Sequence, residues 1–296
     1  MLVAENWKDY TLLDAGTGER LENWCGILLR RPDPQAIWQT RDAAAPWAKA
    51  DARYHRSETG GGRWEYFKKL PESWDIRYGP LAFRVKPMGF KHLGLFPEQA
   101  ANWEFIMDMV GRGSREQGRR MRVLNLFAYT GGATVAAAFA GAEVVHVDAA
   151  KGMVAMAKEN ALLSGLGNAP IRYLVDDAVK FVEREARRGR TYDGIMMDPP
   201  SYGRGPKGEI WKFENELWPL IEKCMAILTK QPLFFIVNSY TTGISPSVVA
   251  NVLSLTLCKK YGGVVTADEL GLPVGQSGLV LPCGSAVRWQ LGLGRA

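Results

Sequence analysis

Metal-binding and disulfide-forming side chains are scarce: the 296 residues hold four cysteines and three histidines. Cys25, Cys224, Cys258 and Cys283 form no Cys-x-x-Cys pair, and His55, His92 and His146 stand alone in the chain. This spacing excludes a small disulfide-built fold and argues against a zinc site, so no metal is expected. The cysteines read as small apolar fillers in a reducing compartment. Long hydrophobic runs are missing too. The longest apolar stretch, around residues 133–142, is far short of the ~20 residues a membrane span requires, and no membrane crossing is expected. Residues 1–9 lack a basic start followed by an apolar core, so they do not resemble a secretion signal, and the expected location is the cytoplasm. Neither sign of charge dominates. A net charge of +6 without a polycationic tail permits contact with a polyanion but does not demand it.

What is present fits a folded enzyme or binding protein. Hydrophobic residues at 47% and charged ones at 23% match ordinary globular chains, and the length suits about two domains at ~150 residues each. Residues 1–92 are rich in Trp, Pro and Gly with few helical patterns, and they read as a small β-rich domain. Its clearest element is a hairpin, residues 74–78 and 81–86 around Gly79-Pro80, where apolar and polar residues alternate. Its outward Arg77, Arg84 and Lys86 suit either solvent or a phosphate backbone, and Gly60-Gly61-Gly62 marks a mobile loop. Residues 93–120 read as a linking helix, starting at Pro97 and stopped by Gly111, then a basic loop. Arg112, Arg115, Arg119, Arg120 and Arg122 stand there against Glu116 alone.

Over residues 121–296 short apolar runs alternate with helical segments, as a doubly wound α/β sheet requires. Strands are predicted at residues 123–127, 144–148, 171–175, 194–198 and 233–238. Helices are predicted at 132–140, 151–164 and 178–188, and antiparallel edge strands at 263–268 and 285–291. Unbroken hydrophobicity in the strands implies helices on both sheet faces.

Ligands of such a sheet bind outside the strand carboxyl ends, so the residues following each strand carry the chemistry. After the first comes Phe127-Ala128-Tyr129-Thr130-Gly131-Gly132, a glycine turn that brings backbone close to a ligand and aims amides at a carboxylate or phosphate. Asp148 ends the second strand, where a carboxylate accepts from both hydroxyls of a ribose. Asp177 follows the third strand and suits either an adenine amine or the N-cap of the next helix. The glycine turn is not Gly-x-Gly-x-x-Gly, so a dinucleotide pyrophosphate is disfavoured against S-adenosylmethionine. The fourth strand ends in Asp198-Pro199-Pro200-Ser201-Tyr202. Two prolines remove two amide donors, leaving carbonyls and the Asp198 carboxylate as acceptors for an amino group or heterocycle, with the Tyr202 ring available for stacking.

On these motifs the chain resembles the class I S-adenosylmethionine-dependent methyltransferases, with a Rossmann-like sheet. More narrowly, residues 124–132, Val175-Asp176-Asp177 and 197–201 are similar to bacterial large-subunit ribosomal RNA methyltransferases acting on cytosine C5 or guanine N7. The resemblance spans roughly residues 90–290. It implies that Thr130, Gly131 and Gly132 contact the methionine part of the cofactor, Asp148 the ribose and Asp177 the adenine, with Phe127, Tyr129 and Asp198 also cofactor-binding. Asp198, Pro199, Pro200 and Tyr202 would form the catalytic corner. Residues 94–100 are similar to an enclosing Gly-x-Phe-x-Asp-Gln-Arg element, in which Phe96 and Gln99 match while Glu98 and Ala100 depart.

Two further departures bear on the substrate. The C5 enzymes carry a nucleophilic cysteine after the fifth strand, because C5 needs thiolate addition. Here Asn238-Ser239-Tyr240 stands instead, so methylation of a ribosomal RNA base at nitrogen, guanine N7 or an exocyclic amine, is expected. The RNA-binding module that commonly precedes the β domain of these relatives finds no room in about 90 residues. RNA contact is therefore assigned to the arginines of 112–122, to Arg187, Arg188 and Arg190, and to a glycine-rich flap at 203–208. Two other readings stay open: methyl transfer to a protein side chain or small molecule, and a non-catalytic RNA-binding or cofactor-sensing module.

Overall fold

Short apolar and aromatic runs punctuated by Gly and Pro turn into strands throughout the amino-terminal part of the chain. The computed structural model describes residues 1–39, 41–57, 61–204 and 210–292. Gly60 and most of the expected flap, residues 205–208, lie outside the described residues. The chain divides into two compact units, Met1–Ala101 with Leu270–Cys283, and Asn102–Glu269 with Gly284–Ala296.

The first unit contains β1 (Leu2–Val3), β2 (Tyr10–Gly16), β3 (Glu19–Trp24), β4 (Ile27–Pro32), β5 (Ala52–Arg56), β6 (Gly62–Tyr66), β7 (Trp74–Tyr78) and β8 (Leu81–Val85). Strands β2 to β6 form a five-stranded sheet in chain order, antiparallel except where β4 meets β5. Strands β7 and β8 are the expected hairpin, turning at Gly79 with φ +54°. Ile76 with Phe83 and Tyr78 with Leu81 are its buried cross-strand pairs, and Arg84 is held by Asp75 at 2.9 Å on the outer face. Inside this unit Glu22 is fully buried and accepts from Arg31 Nε and Nη2 at 2.5 and 2.7 Å and from the Tyr10 hydroxyl at 2.8 Å. Burial acts to raise its pKa, but Arg20 and Arg31 outweigh it and bring it down to about 2.

The second unit is organised on β9 (Arg122–Leu126), β10 (Glu143–Asp148), β11 (Ile171–Val175), β12 (Gly194–Met197) and β15 (Phe234–Ser239), with a small ribbon of β13 (Tyr202–Arg204) and β14 (Ile210–Lys212). The strands β16 (Val264–Val274) and β17 (Leu279–Gln290) close the chain. Helices are α1 (Ala100–Gln117), α2 (Gly132–Phe139), α3 (Lys151–Leu163), α4 (Ala178–Arg187), α5 (Phe213–Met225) and α6 (Pro246–Leu253). The parallel order is β15-β12-β9-β10-β11, and residues 285–290 of β17 pair antiparallel with β15.

Alternate residues of the central strands feed two cores. Leu124, Leu126, Val145, Ile195 and Phe235 pack with residues of α4, α5 and α6, whereas Val123, Val144, Met196 and Phe234 pack with α1 and α2. The sheet is thus doubly wound, as the continuous strand hydrophobicity implied. At the open edge β11 is only partly buried, with Arg172 and Val175 exposed.

Two expectations are corrected. The linking helix does not stop at Gly111: α1 runs on to Gln117, so Arg112 and Arg115 lie on a helix rather than a loop. Gly111 keeps a helical φ, and the next glycine is needed inside the helix, because a Cβ on Gly113 would stand 2.4 Å from Leu233. The expected short edge strands are instead the 11- and 12-residue β16 and β17, whose middle portion belongs to the first unit. Gly271, Pro273, Gly275 and Pro282 mask that continuity in the sequence.

Candidate functional site

Four loops leave the carboxyl ends of adjacent strands in the second unit, and the polar residues singled out by sequence collect there. After β9 the backbone is strained: Phe127 and Tyr129 have φ of +52° and +50°, and Gly131 has +83°. Left-handed non-glycine residues cost on the order of 1–3 kcal/mol each and need support from their surroundings. Here the support is explicit. The Tyr129 amide donates to Asp148 Oδ2 at 2.8 Å, and the Asn160 side-chain amide donates to the Thr130 carbonyl at 2.8 Å.

The two glycines serve the packing below the turn. A Cβ on Gly131 would lie 2.8 Å from the Ala157 Cβ, and one on Gly132 would lie 2.7 Å from the Trp103 ring. The turn can therefore settle onto α3 and onto that indole only without side chains. Helix α2 then begins at Gly132 with no side-chain cap.

Asp148 takes the Tyr129 amide on one carboxylate oxygen and the Ala150 amide on the other, both at 2.8 Å. Each oxygen keeps a second acceptor position, so the group is oriented by the backbone and still able to accept from hydroxyls. Asp177 caps α4, its Oδ1 accepting the Lys180 amide at 2.9 Å. The alternative noted for this residue is therefore realised, and its carboxylate keeps further acceptor capacity. The Asp176 amide donates to the Asp148 carbonyl at 3.0 Å, tying the second and third loops together.

The Asp198 amide reaches the Leu126 carbonyl at 3.4 Å, so the diproline corner starts beside the glycine turn on the neighbouring strand. Pro199 is buried and Pro200 exposed. The Pro200 carbonyl accepts from the Trp211 indole at 2.6 Å, and that indole packs 5.3 Å from the Phe127 ring. Ser201 accepts from Thr241 at 2.9 Å, joining the corner to the loop after β15. Tyr202 opens the β13–β14 ribbon and is 49% exposed. Phe96 and Gln99 belong to the first unit, where Phe96 precedes a single 3-10 turn, Pro97–Gln99, and Gln99 is buried.

Sequence reasoning missed the polar layer under the rim. Asn125 donates to Thr134 at 3.0 Å, and the Thr134 hydroxyl meets His146 Nδ1 at 2.9 Å, all three buried. Burial pushes the His146 imidazole down to about 4, so it is neutral at physiological pH. A signal existed: Asn125 and His146 each interrupt an otherwise apolar strand. At the end of β15, Asn238 accepts from Asn102 at 2.8 Å, and Asn102 accepts from Arg288 at 2.9 Å. Burial lowers Arg288 to about 10, and its guanidinium lies over the Phe105 ring at 4.7 Å.

Among the described residues no group of three or more His, Cys, Asp or Glu could hold a metal ion, and no helix is long and apolar enough to cross a membrane.

Comparison with known proteins bears on this arrangement. The S-adenosylmethionine-dependent methyltransferase family matches the chain over residues 30–218. A crystal structure of a SAM-dependent methyltransferase from Agrobacterium tumefaciens is similar with a TM-score of 0.91 and 37% identity, over 98% of this chain and 92% of that one. A SAM-dependent methyltransferase from Streptococcus mutans shares the fold at a TM-score of 0.75 and 19% identity, over 97% of this chain and 76% of that one. The ribosomal RNA large subunit methyltransferase K/L of Chromohalobacter salexigens is 31% identical over 179 residues, 59% of this chain. That match spans only 23% of the relative's length.

Proposed function

The chain belongs to the S-adenosylmethionine-dependent methyltransferases, and we propose that it methylates a ribosomal RNA base at nitrogen, guanine N7 or an exocyclic amine. The observation that carries this is the shared rim. A strained glycine turn, an amide-oriented carboxylate and an acceptor-lined diproline corner leave the ends of the adjacent parallel strands β10, β9 and β12.

The residues suit the cofactor. Asp148 keeps acceptor capacity for two ribose hydroxyls, Asp177, one loop away, is assigned to the adenine, and uncapped α2 would offer first-turn amides to the methionine carboxylate. Thr130, Gly131 and Gly132 are assigned to the methionine part, with Phe127 and Tyr129 beside them in the cofactor loop. When bound, S-adenosylmethionine supplies an electrophilic methyl group on a sulfonium. The protein's part is alignment and exclusion of competing donors. Asp198 and the Pro199 carbonyl accept from an amine and orient its lone pair toward the methyl, while Pro200 holds the turn and Tyr202 stacks on the base. Guanine N7 needs no proton removed. An exocyclic amine sheds one, for which the Asp198 carboxylate is the acceptor at hand. The end of β15 offers Asn238 and Ser239, followed by Tyr240, rather than a thiolate, which supports nitrogen over cytosine C5.

Support for RNA comes from relatives named for large-subunit ribosomal RNA methylation, which this chain matches over part of their length. Purified protein incubated with labelled S-adenosylmethionine and RNA from cells lacking the enzyme is expected to label RNA, and nucleoside mass spectrometry then identifies the methylated base. Label confined to protein would defeat the RNA assignment, and 5-methylcytosine as the product would defeat nitrogen chemistry.

A further inference from the structure

At the opposite, amino-terminal edge of the same sheet a cavity of about 210 Å³ opens between arginines that stand far apart in the sequence. Arg122, Arg172 and Arg190 line it, together with Glu143, Glu185 and Thr191. Strand register explains the meeting. Arg122 and Glu143 are partners at the first positions of β9 and β10, Arg172 lies beside Val145, and Arg190 precedes the entry to β12. The Arg122 guanidinium is braced by Thr191 at 2.9 Å. Glu185, the buried carboxylate, is already countered: it accepts from the Tyr192 hydroxyl at 2.7 Å and from Arg188 at 3.2 Å, with Arg172 at 4.0 Å. Alongside, Arg119 grips buried Asp193 through two bonds of 2.7 and 2.8 Å, fixing the 119–122 segment against the one that follows Arg190. Four guanidinium groups, those of Arg122, Arg172, Arg188 and Arg190, thus oppose two carboxylates, and the surplus is positive.

We propose that this cavity is a phosphate subsite for the backbone of the substrate RNA. The inference rests on the RNA reading above and deepens it by naming a contact remote from the chemistry. Guanidinium forks match phosphate oxygens bidentately, and a polar recess suits them. An acidic protein partner would need an exposed aromatic or aliphatic anchor. Among the lining residues the apolar ones, Val145 and Tyr192, are buried at the back. The five residues of β9 separate the cavity from the methyl-transfer rim by about 17 Å at ~3.3 Å per residue. A stacked strand covers that distance in about five nucleotides, so the subsite holds a flanking phosphate rather than the target nucleotide.

The test uses full-length protein, a labelled transcript of a large-subunit ribosomal RNA fragment, and fluorescence anisotropy from 50 to 200 mM KCl. In Arg172→Gln/Arg190→Gln the Kd is expected to rise about tenfold, and the log–log salt slope to become shallower by ~1.4, the value for two lost single-strand contacts. In methyl transfer KM for RNA should rise while kcat and cofactor affinity hold. Glu143→Gln, which removes the exposed carboxylate, should tighten binding instead. Unchanged affinity and slope in a double variant that melts like the wild type would overturn the subsite while leaving the RNA reading intact. Loss of binding to polyglutamate without loss of binding to RNA would overturn it in favour of a protein partner. A wild-type protein that neither binds nor methylates RNA would defeat both.

Discussion

The two ends of one parallel sheet carry opposite chemistry. At the carboxyl ends of β9, β10 and β12 the loops present carboxylates, proline-flanked carbonyls and strained backbone. At the amino-terminal edge of that sheet Arg122 of β9, Arg172 of β11 and Arg190, ahead of β12, line a polar cavity together with Glu143 and Glu185. The difference teaches how a chain of modest net charge would address a polyanion under the RNA reading proposed above. On the proposed reading, acceptors concentrate where a base and a cofactor would be gripped and guanidinium donors where a backbone would be held.

The sharpest way to break this contrast is Asp198→Ala. If only the carboxyl rim is chemical, kcat should fall about 10³-fold while RNA affinity and calorimetric cofactor affinity stay as they were. Retained turnover would remove the diproline corner from the mechanism.

The next effect concerns stability under the rim. His146 titrates near 4 when folded and near its ordinary ~6.5 when unfolded, so the unfolded chain binds more protons between those values. Its contribution is complete above about 6.5 and is lost as the pH falls toward 4, on the order of 3 kcal/mol in all. Urea unfolding of His146→Gln at pH 7 and pH 4.5 should show a correspondingly flatter pH dependence than wild type. Arg172→Gln/Arg190→Gln, altered only at the far edge, should keep the wild-type slope.

Asp148→Ala is expected to weaken S-adenosylmethionine binding by about 1.5–3 kcal/mol, read by calorimetry, through lost hydrogen bonds to a charged acceptor. Smaller again, Asn160→Ala leaves the Thr130 carbonyl without its amide. A loss of about 1–2 kcal/mol in urea unfolding is expected, together with weaker cofactor binding. An Asn160→Ala protein with unaltered cofactor affinity would mean that the turn holds its shape unaided.

Much of the second unit was legible because each strand pairs an apolar run with a polar terminus, and the loop after the run is where the fold exposes it. Asp148, Asp198 and the glycine turn were singled out by that logic, and the fold places them at the carboxyl ends of adjacent strands. The reason for the glycines was not legible, since the crowding comes from Ala157 and Trp103, remote in sequence. Asn160 was invisible for the same reason: a polar residue inside a helix looks solvated until the fold buries it against a carbonyl. The run of α1 past Gly111 overrode a local stop signal, and packing against Leu233 and Met121 demands glycine at the next such position, Gly113. The arginine clusters near 120 and 190 were conspicuous, but only strand register brings them to one cavity.

The long closing strands have a consequence for synthesis. Leu2 and Val3 pair with Leu270 and Gly271, and the Gly275 amide bonds to Leu12, so the amino-terminal unit is completed by residues 270–283. At ~5–20 residues per second the ribosome delivers them roughly 10–40 s after Ala101. Over that interval the portion made first is left with an unfinished sheet edge, and the later-made nucleotide-fold portion is nearly whole before its predecessor can close. Birth order and maturation order are thereby uncoupled, and a nascent chain stalled before residue 270 would expose β1 to whichever chaperone meets it.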